Sequence, residues 1–288
     1  MCGICGFYSK REESLDNLAE MAETIKHRGP DDHGEEIYGL SSGYVVGFAQ
    51  RRLAVIDLSP SGHQPMHSVN KRISVVFNGE IYNYQELKRE LGDYTFQSNS
   101  DTEVIIASYL KWGIRFLDKV NGMYAIAIFD RADDTLYLVR DRIGKKPLYY
   151  YISEGNLYFG SELKPLMKNR FFVKEIHTEI VGRFLHKRYI AAPDSIFKNV
   201  YKLEQGTVLQ FREGVQKKWK YWDVTESYHK FRKEGAGIGF AEAKNELKKR
   251  LVEAVRRRLA ADVPIGAFLS GGYDSSLVCA IAQGIFDT

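Results

Sequence analysis

Cys2 stands one residue from the start of the chain, between Met1 and Gly3. Removal of Met1, which a small following residue favours, leaves Cys2 with a free α-amino group. An α-amine titrates near about 7.7–8 and a thiol near about 8.5. Close to neutral pH the amine can therefore take the proton of its own side chain, which makes one residue an activated nucleophile without a histidine partner. Two blander uses stand beside this one. A cysteine at position 2 can sit in an unstructured terminus, and Cys2 with Cys5 can form a redox or metal pair. Metal binding lacks the second Cys/His pair that zinc spacing requires.

Two further groups could do chemistry. Asn78-Gly79 closes the apolar run ISVVFN. In a cleft, the Asn78 amide and the Gly79 N–H would be two preorganised donors for a developing oxyanion, each worth about 3 kcal/mol. Glycine also permits close backbone approach. The same dipeptide alone reads as a hairpin turn. The second group is Ser270-Gly-Gly-Tyr-Asp-Ser-Ser276, which follows an apolar run and opens a helical one. Small residues there free backbone N–H groups, and the helix dipole adds positive potential, which suits a phosphate. It lacks the Gly-Lys-Ser/Thr of a Walker A loop. A plain Ser/Gly turn is its structural alternative.

These groups need elements to hold them. Segments 43–49, 73–78, 124–130, 136–141, 147–152 and 157–160 are rich in Val, Ile, Tyr and Phe with turn residues between, and read as strands. The run YAIAIFD at 124–130 is apolar throughout, so burial on both faces is expected. Helical spacing of Leu15, Leu18, Ala22 and Ile25 after Ser14 predicts a helix over 15–26. A short helix is expected over 84–91, and a third over 101–112, with Ser100 and Glu103 as a capping box and Gly113 as its stop. Strands flanked by helices imply an α+β layered domain. From 211 to 240 the chain is charged and glycine-punctuated, and reads as a linker. An amphipathic helix over 241–261 carries Leu247, Leu251, Val255 and Leu259 on one stripe, and a strand is expected over 263–269.

The 288-residue chain is 44% hydrophobic and 27% charged, a globular composition. A net charge of +4 is too mild to argue for nucleic acid. No apolar run is long enough to cross a bilayer, and the N-terminus lacks a signal-peptide pattern, which places the protein in the cytoplasm. Three cysteines do not make a disulfide framework in a chain this long.

The opening Met-Cys-Gly-Ile-Cys-Gly-Phe, then His27-Arg-Gly-Pro-Asp31, Arg52-Leu53 with Ile56-Asp57, Asn78-Gly-Glu-Ile-Tyr-Asn83, Ser100-Asp101 and 140–149 (RDRIGKKPLY) resemble class II glutamine amidotransferases in order and spacing. The family they resemble most is glutamine-hydrolysing asparagine synthetase. The resemblance implies a four-layer αββα N-terminal-nucleophile sandwich over 2–210, a linker over 211–240, and over 241–288 the first part of an α/β ATP-pyrophosphatase domain. It makes Cys2 the nucleophile that splits glutamine and Asn78-Gly79 the oxyanion hole. Arg52 resembles the clamp for the glutamine carboxylate, and Asp101 the partner of its ammonium. As structure alone, these two are an ordinary surface arginine and a helix-start acid favoured by the macrodipole. Backbone atoms of Leu53, Ala54, Val55 and Ile56, together with Glu80, are expected to line the same pocket.

Leu269, Ser270, Gly271, Gly272, Asp274, Ser275 and Ser276 resemble the nucleotide-binding loop of the family's second domain. Tyr273 departs from it, since a small aliphatic residue is more usual there. ATP and Mg2+ are then co-substrate and ion, with no prosthetic group and no protein metal site. Ammonia from glutamine would amidate an adenylated carboxylate, aspartate in the leading reading and a sugar acid in the runner-up. A different class, a tRNA-modifying adenylase, would use Lys244, Lys248, Lys249, Arg250 and Arg256–Arg258 as a nucleic-acid face; such charges more often mark a solvated helix face, and neither nucleic acid nor membrane is the expected partner. One strand cannot make a nucleotide-binding sheet, so the chain is expected to act as a glutaminase, with the rest of the synthetase domain on a longer product or a separate chain.

Overall fold

In a computed structural model of the chain, residues 1–234 and 237–287 are described. Residues 235–236, inside the expected linker, and Thr288 lie outside them. In chain order the elements are β1 (Gly3–Ser9), α1 (Leu15–Glu23), β2 (Asp32–Gly39), β3 (Val45–Arg52), β4 (Met66–His67), β5 (Ile73–Ile81), α2 (Tyr84–Glu90), α3 (Asp101–Trp112), β6 (Gly122–Asp130), β7 (Thr135–Arg140), β8 (Tyr149–Ser153), β9 (Asn156–Gly160), α4 (Leu163–Lys168), α5 (Thr178–Lys187), β10 (Val200–Lys202), β11 (Thr207–Arg212), β12 (Val215–Lys220), α6 (Val224–Glu234), α7 (Phe240–Arg258) and α8 (Tyr273–Phe286).

The strands form two six-stranded antiparallel sheets, ordered β10-β8-β9-β1-β3-β2 and β12-β11-β7-β6-β5-β4. Successive side chains in a strand point to opposite faces, and that alternation builds the layers. Ile4 and Tyr8 of β1, Val46 and Phe48 of β3, Val76 of β5 and Ala125, Ala127 and Phe129 of β6 fill the core between the sheets. Cys5 and Phe7 of β1 and Ala49 of β3 point the other way, onto Leu18, Met21 and Ala22 of α1 and Leu166 of α4. Helix α3, with α2 beside it, packs on the outer side of β5. The result is the four-layer helix–sheet–sheet–helix arrangement. Tyr124–Asp130 is buried along its whole length, as its apolar run requires.

Several local details depart from the sequence reading. The Ser100–Glu103 capping box does not close. Ser100 Oγ accepts from Thr102 N at 3.1 Å, but its own N–H goes to Ser98 Oγ at 3.2 Å. Glu103 instead accepts from the N–H groups of Gln97 and Ser98 and from the Ser98 hydroxyl, at 2.7–3.1 Å, because that upstream turn brings donors nearer. The stretch read as a linker begins with ordered structure. Strand β12 pairs with β11 from Thr207↔Lys220 to Arg212↔Val215, and its lysines disguised an exposed edge strand. Conversely, residues 263–269 form no strand. A strand is held by ladder hydrogen bonds, and no described segment offers this one a neighbour.

Two compact units emerge, one of residues 1–54 and 59–222, the other of residues 55–58 and 223–288. In the second, α7 packs against α8. Asp262 accepts from Asp57 N at 2.7 Å and donates its own N–H to Val55 O at 2.9 Å. The apolar stripe expected on the long helix is only partly covered: Val255 is buried, but Leu247 is 59% exposed.

Asp141 is the densest polar node of the first unit. Its fully buried carboxylate accepts from the N–H groups of Tyr124, Ile143, Lys145 and Lys146 at 2.9–3.2 Å. Replacing it strands several buried donors, each costing about 1–3 kcal/mol. Asp141→Ala should therefore lower unfolding free energy by about 3 kcal/mol or more in urea titrations. Asp141→Asn, which still accepts through one oxygen, should lose less.

Candidate active site

Register and pleat decide which residues face one another at the open end between the sheets. Strand β1 runs against β3 with Gly3 opposite Arg51 and Ile4 opposite Gln50, so the residue before Gly3 falls across from Arg52. Cys2 and Arg52 share the parity of Ile4, Phe48 and Tyr8, whose side chains lie between the sheets. On β5, Asn78 shares the parity of Val76 and pairs with Ala125, both in that core. Gln50 Nε2 spans the gap, donating to Phe77 O at 3.1 Å, so the end of β3 and the neighbour of Asn78 are one side chain apart.

The Cys2 sulfur lies on the Leu53 peptide. It accepts from Leu53 N at 3.4 Å and donates to Leu53 O at 3.6 Å. Burial raises the Cys2 thiol above its ordinary value; the Leu53 N–H, the terminal ammonium and Arg52 oppose this, and Asp101 adds to it. The terminal amine beside it in the structure is that of Met1, which burial lowers, with Lys146 and Arg28 acting in the same direction. Cys2 and Asp31 pull it back up, but the net direction favours the free-base amine.

Arg52 is 6% exposed. It donates from Nη1 to Ser59 O at 3.3 Å. A Cβ on Gly62 would lie 2.0 Å from its Nη2, so glycine leaves room for the guanidinium. The ambiguity between Arg51 and Arg52 disappears. Arg51 faces the helix side, bonding Ala22 O at 3.3 Å and Glu23 Oε2 at 2.8 Å.

Asn78 is fully buried, and neither its amide nitrogen nor its amide oxygen has a hydrogen-bond partner among the described residues. Buried amides are almost always satisfied, so an orphaned one marks a place where function overrides stability. Gly79 follows, with its Cα against β6; a Cβ would meet Met123 O at 2.1 Å. Asp101 begins α3 and is 5% exposed. Its Oδ2 accepts from Ile81 N at 2.9 Å. Burial, with Glu80 adding to it, pushes its carboxyl up to about 7 against the backbone N–H groups of Ile81, Asp101 and Thr102. Glu80 is raised by burial and opposed by Lys146.

Cys2, Arg52, Leu53, Ala54, Asn78, Gly79, Glu80 and Asp101 therefore belong to one unit and converge on one end of the sandwich. Val55 and Ile56 belong to the second unit. So do Leu269 to Ser276. There Gly271 has φ +83, α8 begins after Gly272 with no side-chain cap, and Ser270 and Ser275 hydroxyls lie 2.9 Å apart. The loop is open: Leu269 is 65% exposed and Tyr273 97%. The basic residues of α7 pair along their own helix, Arg250 with Glu246 and Arg256 and Arg257 with Glu253, as a solvated face does.

Two cations escaped the sequence reading. Arg28 donates from Nε to Cys2 O at 2.9 Å and from Nη1 to Glu162 Oε1 at 3.1 Å. Burial raises the Glu162 carboxyl, but the hydrogen bonds from Arg28 and His27 outweigh it and hold Glu162 low. Asp31, from the same motif, accepts from Ala54 N at 2.9 Å and donates its N–H to Arg52 O at 3.0 Å, which braces the peptides flanking Leu53. The motif His27–Asp31 was visible, but only the fold reveals that it grips both ends of the site. Lys146 is 4% exposed; burial lowers its amine, while Glu80 and Cys2 pull it back up.

Comparisons with known proteins agree with this geometry. Residues 1–222 match the glutamine amidotransferase domain family, and residues 246–287 match the asparagine synthase family. The chain is 37% identical to a putative glutamine-hydrolysing asparagine synthetase of Methanocaldococcus jannaschii, covering 100% of this chain and 58% of that protein. It is 33% identical to the glutamine-hydrolysing asparagine synthetase B of Escherichia coli, covering 98% and 45%. The chain thus spans about half the length of the curated relatives it matches. Among solved structures, the glutamine phosphoribosylpyrophosphate amidotransferase of Bacillus subtilis shares the fold with a TM-score of 0.58 at 16% identity, covering 98% of this chain and 64% of the other.

The three cysteines give a direct check on the site. Cys5 is fully buried with its thiol pushed far up by burial, whereas Cys2 and Cys279 are partly exposed. Mass spectrometry after native iodoacetamide treatment should find Cys2 and Cys279 alkylated and Cys5 intact. Modification of Cys5 ahead of Cys2 would contradict the placement of β1.

Proposed function

The chain belongs to the glutamine amidotransferase domain family, and on that premise we propose that Cys2, once Met1 is removed, hydrolyses glutamine to glutamate and ammonia. The observation that carries this reading is the fully buried, unpartnered amide of Asn78 on the same inter-sheet face as Cys2 and Arg52.

The residues support the following course. The Cys2 amine takes the thiol proton, and the sulfur attacks the side-chain carbonyl carbon of glutamine. The carbonyl oxygen becomes an oxyanion and accepts from the Asn78 amide and the Gly79 N–H. The carbon–nitrogen bond then breaks as the ammonium returns its proton to the leaving nitrogen, giving ammonia and a thioester. Water attacks the thioester through a second oxyanion at the same donors and releases glutamate and the thiol. Arg52 holds the substrate carboxylate, and Asp101 with Glu80 holds its ammonium. Arg28 keeps the Cys2 carbonyl fixed so that amine, sulfur and donors stay aligned.

The ammonia would serve a synthetase of which residues 241–287 form part, with aspartate as acceptor and ATP with Mg2+ as the activating co-substrate. Fourteen residues of α8 behind an uncapped N-terminus offer free N–H groups to a polyphosphate, so the Ser270–Ser276 loop fits that ligand in chemistry. Its open surroundings, with no strand over 263–269, leave the nucleotide unwalled.

Cys2→Ala should abolish glutamate release and leave the fold intact. Asn78→Ala should lower kcat about 10²–10³-fold with a small change in KM, since an oxyanion donor acts on the transition state. A change confined to KM would remove the oxyanion assignment. Arg52→Ala should cost about 2–5 kcal/mol of glutamine binding, as loss of one member of a buried charge pair does. Binding should also follow Asp101. Below about 7 its carboxyl is neutral and cannot balance the substrate ammonium; above that it is charged. Calorimetry on the Cys2→Ala protein should show glutamine affinity rising with pH through that range, and Asp101→Asn should flatten the rise. With glutamine, ATP, magnesium and aspartate supplied together, this chain should yield glutamate without pyrophosphate.

A further inference from the structure

We propose that Gln50 and Gln64 clamp Phe77 through the two peptides that flank it and thereby aim the Asn78 amide, which makes both glutamines positioning residues for the oxyanion step; this rests on the glutaminase reading above.

The geometry begins at the edge of the second sheet. Strand β4 is only two residues long and pairs Met66 with Val75 and His67 with Ser74. The same register continued places Gln64 across from Phe77, but Pro65 intervenes and has no N–H to extend the ladder. Side chains take over. Gln64 Oε1 accepts from Phe77 N at 2.7 Å, and Gln64 Nε2 donates to Thr102 Oγ1 at 3.0 Å. From the other sheet, Gln50 Nε2 donates to Phe77 O at 3.1 Å. Gln50, Gln64 and Thr102 are 0%, 3% and 2% exposed, so water does not compete for these bonds.

The consequence concerns Asn78. Its side chain makes no hydrogen bond of its own among the described residues, so its direction is inherited from the backbone. The Phe77 carbonyl and the Asn78 N–H belong to one planar peptide. Gln50 holds that plane through the Phe77 C=O, and Gln64 holds the preceding plane through the Phe77 N–H; with both planes held, the Phe77 torsions are fixed and with them the Cα–Cβ vector of Asn78. Oxyanion donors act only when they are in place before the reaction, and small misplacements near reacting atoms cost large factors in rate. Thr102 extends the connection to α3, one residue from Asp101, so donor and ammonium partner share a support.

Gln50→Met and Gln64→Met keep side-chain length and remove the polar ends. Each should lower kcat about 10–100-fold and leave KM within about twofold, the signature of an interaction made only in the transition state. In an Asn78→Ala background the same changes should cost nothing further, because the group they aim is gone. Gln64→Glu retains an oxygen for the Phe77 N–H and should recover most of the turnover, which a merely space-filling role would not predict. Glutamate γ-semialdehyde supplies a binding probe: its aldehyde carbon bonds to the Cys2 sulfur, and the resulting oxygen lies at the oxyanion donors. Its affinity should fall in parallel with kcat while that of L-glutamate holds. Wild-type kcat in both Met variants, or losses that multiply with Asn78→Ala, would overturn the clamp. Absence of glutamate release from the wild-type protein would instead remove the glutaminase reading. The clamp is then still decided by the side-chain amide signals of Asn78 in ¹⁵N NMR, identified by their loss in Asn78→Ala: a shift in the Gln variants supports it and an unchanged position rejects it.

Discussion

A pleat of period two gives each strand residue one of two faces, and the fold depends on that parity being honoured at the open end of the sandwich. Between the sheets, Ile4, Phe48, Val76 and Ala125 interlock. Extending the same parities outward brings Cys2, Arg52 and Asn78 toward one space. A one-residue slip of β1 on β3 would send Cys2 toward the helix layer and bring Gly3 in its place. Register here is not free to slip, because the alternate residues Cys5, Phe7 and Ala49 are committed to α1 and α4 on the opposite face. The core that stabilises the domain is thus also the device that aligns its chemistry.

Electrostatics at that end are set by burial first and by charge pairs second. The Asp101 and Glu80 carboxyls are raised, and the Lys146 amine is lowered, all chiefly by loss of water. Loss of water disfavours full charge on each of these groups, and an opposite charge brought beside one of them favours it. Asn78 fits the same logic in neutral form. An unpartnered amide in the interior costs stability, while Phe77 beside it is bonded at both N–H and C=O.

Much of this was legible in the sequence. The β5 and β6 runs, the helix over 101–112 and the layered α+β class follow from apolar patterning, and Cys2, Arg52, Asn78 and Asp101 were singled out by motifs that resemble a family. What was hidden has particular causes. Strands β2 and β12 are edge strands with charged faces, so their alternation does not appear as hydrophobic periodicity. The run over 263–269 looks like a strand because composition records apolarity and not the neighbour a ladder needs. Arg28 and Lys146 sit in motifs that were noticed, but their roles arise from contacts made across 26 residues or more in sequence, as in the Arg28 bond to Cys2 O. The glutamines of the clamp carry no signal at all; a buried amide is identical in sequence to a surface one.

The contrast between the two units follows from the same considerations. In the first, hydrogen bonds tie Cys2 to Leu53, Arg52 to Ser59 and Asp101 to Ile81 within its own framework. In the second, the Ser270–Ser276 loop has a helix start behind it, yet Phe268 is fully exposed, Tyr273 nearly so and Leu269 largely so. Apolar side chains of that size at the mouth of a phosphate loop serve a nucleotide only when a sheet and its crossover helices wall the base and ribose. Amide hydrolysis of the kind proposed asks for one end of one sandwich, whereas nucleotide chemistry asks for a parallel sheet with its crossover helices.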